Sequence, residues 1–289
     1  MSVSKVLINN KINSRILQKT IPYMQRMFEV VILNQDGENE IIKALNETKP
    51  DVLFITKDNW SNAVQAYRNI NKCKVVMFAD EIVNNVDFTI TNNIDLLSTP
   101  NTHMDLVLAD LSVMNYLDRD VEKTDVSLFI NDNTDIPSYI VDFLCQNYNV
   151  KIYGNKKINS PRYLGIPNSI EKMEILNKSK VIIDLGTYDY MDAILLGCYP
   201  VVYTNTSIPE EFTSFDDLIS ISEAMDYVQD ESNQEDIKNK LSSLYGHFLQ
   251  TNNYLSALIN IFNNLGYAEQ TKKLFEIKGE IINDRISNR

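Results

Sequence analysis

Asp184 and Asp192 flank the segment Asp184-Leu-Gly186-Thr187-Tyr188-Asp189-Tyr190-Met191-Asp192-Ala193. The β-branched run over 180–184 reads as a buried strand, and the residues from 191 to 196 read as a short helix. One carboxylate therefore ends a strand and the other sits near the start of a helix, across a glycine-containing loop. In an open α/β sheet, ligands bind at that edge. Backbone N–H groups of Gly186, Thr187 and Tyr188 would point at the helix N-terminus, where an anion such as a diphosphate is stabilised. The plainer alternative makes Asp184 a solvated loop residue and Asp192 an acid favoured by the helix dipole.

Other residues carry weaker signals. Asp80 and Glu81 follow an apolar run and stand at a strand end, where a carboxylate can take a proton from a hydroxyl; a plain loop pair is the alternative. Lys156, Lys157 and Arg162 are candidates for a diphosphate clamp, although Lys156–Lys157 also suits a solvated turn. Tyr188 and Tyr190 either stack on a base or sugar or pack in the core. His103 and His247 are the only histidines, and both are read as structural. No His/Cys/Asp spacing resembles a zinc site, and HExxH, paired CxxC, P-loop and GxSxG patterns are all missing.

The elements that must position these residues follow from apolar patterning. Strands are predicted over 5–8, 29–33, 51–56, 74–78, 88–91 and 96–98, with helices over 15–28, 39–48 and 59–70. Strands apolar throughout and separated by helices imply a parallel sheet covered on both faces. A helix over 104–116 and a charged linker over 117–125 follow. The series then restarts with strands over 126–130, 150–153, 180–184, 200–203 and 218–221 and helices over 138–147, 170–177 and 191–196. From 235 onward the pattern is helical only. The expected fold class is α/β: two Rossmann-like domains with parallel sheets, residues 1–117 and 118–232, and a helical tail over 233–289.

The chain has 289 residues, 44% of them hydrophobic, enough for a full core and more than one common domain. No apolar run approaches the roughly 20 residues that cross a bilayer, and residues 1–10 lack the apolar stretch of a signal peptide. Cys73, Cys145 and Cys198 are few and odd in number, as expected in a reducing compartment; the expected location is cytoplasmic. A net charge of −12 argues against a phosphate backbone as partner. The heavy use of Asn, Ile and Lys is that of an AT-rich coding genome, such as a bacterium's or a virus's.

The segment from Asp184 to Tyr203 resembles the carboxylate-x₇-carboxylate segment of GT-B glycosyltransferases, which usually reads Glu-Gly-Phe-Gly…Glu-Ala…Gly-x-Pro-Val-Val. Asp184 and Asp192 replace the glutamates, and Ala193, Gly197, Pro200, Val201 and Val202 fit the rest. Upstream, Lys151-Ile-Tyr153-Gly154, Tyr163-Leu-Gly165 and the stretch from Glu171 to Lys180 resemble the second domain of the CgeB-like branch, within the family 1 and 4 type. Val75 to Glu81 and Val86 to Thr91 are similar to that branch's nucleotide-distal domain. The resemblance spans about 50–230 and is strongest over 150–203.

The resemblance implies a nucleoside-diphosphate sugar donor, UDP- or GDP-linked, bound by the second domain. Asp192 would hold the ribose hydroxyls, Asp184 would lie on the donor side, and Tyr153 joins the donor-site set. A glycan or small-molecule acceptor would approach from the first domain, and no metal is implied. Three features depart from the family pattern. The loop after the first strand of the second domain is Asn131-Asp132-Asn133-Thr134-Asp135, where the family often has Arg and Lys. Asn9-Asn10-Lys11 stands where many members have a glycine-rich loop, and no histidine follows 74–78. The leading expectation is a metal-independent glycosyltransferase. A non-catalytic binding or assembly protein on the same shell, and a glycosyltransferase acting on modified bases of nucleic acid, are the alternatives.

Overall fold

The computed structural model describes residues 5–9, 11–34, 37–105, 107–118, 120–132, 137–185, 187, 189–203 and 212–286, the side chains of 284–286 excepted. The chain forms two compact units, Met1–Leu108 with Tyr254–Arg289, and Ala109–Asn253.

In the first unit the strands are β1 (Lys5–Asn9), β2 (Glu29–Leu33), β3 (Val52–Thr56), β4 (Lys74–Phe78), β5 (Phe88–Thr91) and β6 (Thr102–Met104). They form one parallel sheet in the order β2-β1-β3-β4-β5-β6. Its central strands are buried on both faces, because α1 (Arg15–Gln25), α2 (Glu38–Thr48) and α3 (Asn62–Asn71) cross between them. Ser14 and Ser61 cap α1 and α3 through their hydroxyls. After β2 the chain returns to the other side of β1, so the switch point lies at the carboxyl ends of β1 and β3. The start of α1 is held by Asp105, which accepts from the Ser14 hydroxyl at 3.0 Å and the Ile16 amide at 3.2 Å.

Asp87 ties β4 and α3 together at the opposite edge. Its carboxylate accepts from Lys74 at 2.8 Å, Arg68 at 3.0 Å and the Val75 amide at 2.9 Å. Burial opposes its charge, but these donors outweigh burial and hold the carboxyl below its usual range. A depressed folded-state pKa contributes stability above the ordinary carboxylate pKa and loses it as pH falls through the lowered value. Asp87→Asn is therefore expected to cost about 1–2 kcal/mol near neutral pH. Urea unfolding of both proteins at pH 7 and at pH 3 should show that gap shrinking in acid; an equal gap at both would assign the effect to packing alone.

The second unit contains β7 (Asp125–Phe129), α4 (Ser138–Asn147), β8 (Val150–Tyr153), α5 (Ser169–Lys178), β9 (Ser179–Asp184), α6 (Tyr190–Leu195), β10 (Tyr199–Tyr203), β11 (Thr213–Phe215), α7 (Leu218–Gln229) and α8 (Gln234–Gln250). Its sheet is again parallel, in the order β11-β10-β9-β7-β8. Alternation divides the residues between faces. Leu128, Ile130, Val150, Ile152, Val181 and Ile183 share a core with α4 and α7. The other face presents Ser127, Phe129, Tyr153 and Asp184 on the side of α5, with Ser127 and Ser179 hydroxyls 2.7 Å apart.

Several expectations change. The run over 218–221 is the start of α7, because an Asp217–Ser220 capping box opens a helix whose Ile221, Ala224, Met225 and Val228 are buried. Residues Ile94–Ser98 form a 3₁₀ turn capped by Asn93, and His103 lies in β6. In place of a helix over 104–116, only Leu111–Tyr116 is helical, as a 3₁₀ segment capped by Asp110. The charged stretch expected as a linker is docked within the second unit. Lys123 donates to the carbonyls of Asn177 at 2.6 Å and Leu196 at 2.7 Å, closing the C-termini of α5 and α6. Asp118 and Asn177 also exchange hydrogen bonds. The helices from 233 are apportioned rather than gathered in one tail. α8 belongs to the second unit, while α9 (Tyr254–Asn264) and α10 (Ala268–Ile286) belong to the first, where Phe262 stacks on Phe28 at 5.1 Å.

Among the described residues no helix is long and apolar enough to cross a membrane. The three cysteines are free thiols. Burial pushes Cys73 and Cys198 up to about 12, which keeps both as inert thiols.

Candidate binding site at the carboxyl edge of the second sheet

Asp184 is 0% exposed at the last position of β9. One carboxylate oxygen accepts from the Thr187 amide at 2.8 Å and the other from the Tyr190 amide at 2.9 Å. Its negative charge, removed from water, is matched by these donors, and the loop between β9 and α6 is folded around it. Asp184, expected on the donor side, holds the loop in place from beneath. The expected amide cradle changes for the same reason. The Thr187 amide is committed to Asp184, and α6, only 6 residues long, offers little dipole of its own. Gly186 and Tyr188 lie outside the described residues.

Asp192 sits in the first turn of α6 and is partly buried. Tyr190, partly buried, packs edge-on against Phe212 at 5.2 Å and lies 6.4 Å from Phe248. Asp189 accepts from the Thr187 hydroxyl at 2.9 Å and pairs with Lys172. Lys172 comes from the first turn of α5, and its ammonium also lies 5.6 Å from the centroid of the Phe129 ring. Phe129 in turn stacks on Tyr153 at 5.5 Å. Tyr153 thus lines the base of this edge through its ring, and burial raises its phenol above the usual value. Sequence reasoning missed Lys172. The signal was a lysine in a helical first turn, where the dipole favours acids, just after the Asn168–Glu171 capping box.

The other cations separate. After Tyr153, Gly154 turns at φ 129°, and the Lys156 amide donates to the Ile130 carbonyl at 3.4 Å. That places Lys156 beside the end of β7; Lys157 is exposed on the same loop. Arg162 points elsewhere. The segment around Tyr163 runs parallel to β8, with an Ile152–Tyr163 bridge. This register aligns Arg162 with the beginning of β8, where its guanidinium donates to the Tyr148 carbonyl and approaches Asn149. The proposed clamp role of Arg162 is corrected accordingly, because its charge sits at the amino edge of the sheet. In the loop after β7, the Asp132 amide donates to Asn155 at 2.8 Å, and residues 133–136 lie outside the described set.

Asp80 and Glu81 follow β4 in the first unit. One Asp80 oxygen accepts from the Thr91 hydroxyl at 3.1 Å and the Asn92 amide at 2.7 Å. Glu81 is exposed and paired with Lys57. Desolvation pushes His103 down, keeping its ring neutral, and its Nε2 has no partner among the described residues. No group of three or more His, Cys, Asp or Glu able to hold a metal occurs among the described residues.

No protein-family model matches the chain, and neither does any curated protein. Solved structures do match. The UDP-GlcNAc 2-epimerase from Neisseria meningitidis, bound to UDP-GlcNAc, is 12% identical, with 90% of this chain and 99% of that one covered at a TM-score of 0.56. HepE from Anabaena, in complex with UDP, is 11% identical, with 93% and 100% covered at 0.55. Sucrose-phosphate synthase from Thermosynechococcus elongatus is 9% identical, with 95% and 100% covered at 0.55. At these identities the likeness is one of fold: two Rossmann-like units in series, of the GT-B type.

Proposed function

On this GT-B type fold, we propose that the chain binds a nucleoside-diphosphate sugar at the carboxyl edge of the second sheet and transfers the sugar to an acceptor. The observation that supports this reading most is the loop folded over buried Asp184. It leads into α6, which carries Asp192, and its Asp189 pairs with a cation, Lys172, at the edge where α/β sheets receive ligands. HepE was solved with UDP and the epimerase with UDP-GlcNAc, which makes UDP-linked sugars the first donors to try and GDP-linked ones the second.

In this reading Asp192 accepts hydrogen bonds from the ribose hydroxyls, and Lys172 with Lys156 or Lys157 offsets the diphosphate charge without a metal. The bond between the anomeric carbon and the diphosphate oxygen breaks, and its electron pair leaves with the diphosphate. The acceptor oxygen bonds to that carbon, and its proton passes to a general base, the role for which Asp80 and Glu81 are the candidate carboxylates. The inert thiols fit the reducing, cytoplasmic setting in which nucleotide sugars are spent.

A binding-only protein is favoured by one observation: Asp80 is tied to Thr91 and Asn92, and Glu81 is paired with Lys57. A turnover assay separates the two. UDP-glucose, UDP-GlcNAc and GDP-mannose are incubated with the protein, with and without simple sugar acceptors, and products are followed by NMR. Release of nucleoside diphosphate with a new glycoside supports transfer. Epimerised donor would redirect the activity, and binding without any product would support the non-catalytic reading.

A further inference from the structure

Lys172 is a cation at the unfavourable end of its helix. The first turn of α5 is already closed by the Asn168–Glu171 capping box, and the dipole there disfavours a lysine. The side chain is 26% exposed, and its ammonium is turned toward the end of β7 and the loop after β9. Around it, other donors are committed: the Thr187 and Tyr190 amides to Asp184, and the Thr187 hydroxyl to Asp189. Arg162 is directed to the opposite edge.

We propose that Lys172 takes the diphosphate of the donor, and that Asp189 holds its ammonium until the diphosphate replaces the carboxylate. The inference rests on the donor-site reading above and assigns that site its main cation. The exchange is physically simple. A diphosphate carries more charge and more acceptor oxygens than one carboxylate, and the lysine stem can rotate between them without moving the backbone. Asp189 keeps the Thr187 hydroxyl after the hand-over. Because the carboxylate competes for the same ammonium, the pair lowers the apparent affinity for the ligand.

The test is titration of UDP and uridine, with GDP and guanosine in parallel, into the wild type, Lys172→Met, Asp189→Asn and the double variant. Thermal melts check that each is folded, and Lys172→Gln replaces the methionine variant should that fail to fold. Lys172→Met is expected to weaken diphosphate binding at least tenfold while leaving the nucleoside unchanged. Asp189→Asn is expected to tighten it several-fold, and to do so much less when Lys172 is gone. Unchanged diphosphate affinity in Lys172→Met overturns the inference and leaves the donor site standing. Equal losses for nucleoside and diphosphate do the same, since the lysine would then act on the fold. A gain from Asp189→Asn that is the same in both backgrounds contradicts the hand-over. A folded wild type that binds neither UDP nor GDP removes the donor site and the inference together.

Discussion

Asp184→Ala is expected to destabilise the second unit by about 3–5 kcal/mol, since it strands two part-buried amides that now share one fully buried carboxylate. The residue is 0% exposed, and its carboxylate accepts from the amides of Thr187 and Tyr190. Each amide would lose its partner where water has little access, which is costlier than losing a surface hydrogen bond. Asp184→Asn retains one good acceptor and should cost less than the alanine variant. Denaturant unfolding gives the comparison. A cost below 1 kcal/mol for Asp184→Ala would mean that the loop finds other acceptors and that Asp184 does not hold it in place.

Gly154→Ala should be worse than most single substitutions. The φ of 129° is already costly for any L-residue, and an added Cβ would stand 1.9 Å from the Ile130 carbonyl oxygen and 2.7 Å from its carbon. Both obstacles are backbone, so no side chain can swing aside. The loop after β8 would have to lift from the end of β7, breaking the Gly154 amide's bond to Gly165 and moving Lys156. We expect a loss of about 3 kcal/mol or more, or failure to accumulate as folded protein. Gly246→Ala in α8 is the internal control. Nothing lies within 4 Å of a Cβ there, and replacing a helical glycine should stabilise by about 0.5–1 kcal/mol. Similar stability for the two variants would contradict the close approach of Gly154 to Ile130.

Strands such as β3 and β4 were legible because a parallel sheet covered on both faces writes itself as unbroken apolar runs, and their helices as stripes at helical spacing. The 218–221 run misled because four apolar or small residues fit a strand as well as a helix start; Asp217 and Ser220, the capping box, were the deciding signal. Asp184 was legible as important but not in its role. Spacing places a carboxylate at a strand end, yet whether it faces a ligand or folds back on its own loop depends on hydrogen bonds that no pattern encodes. Arg162 was misplaced because the segment around Tyr163 joins the sheet beside β8, and that register reverses the edge a nearby side chain reaches. Lys172 was overlooked because it lies in a helix, while cations were sought in loops.

Calorimetric titration of UDP, GDP and their common sugar conjugates, with Asp192→Ala in parallel, tests the donor site most directly. Saturable, micromolar binding of one nucleotide and its conjugate by the wild type, lost in a folded Asp192→Ala, is the expected result. A well-folded wild type that binds none of them would contradict the donor site and leave a GT-B shell without its nucleotide.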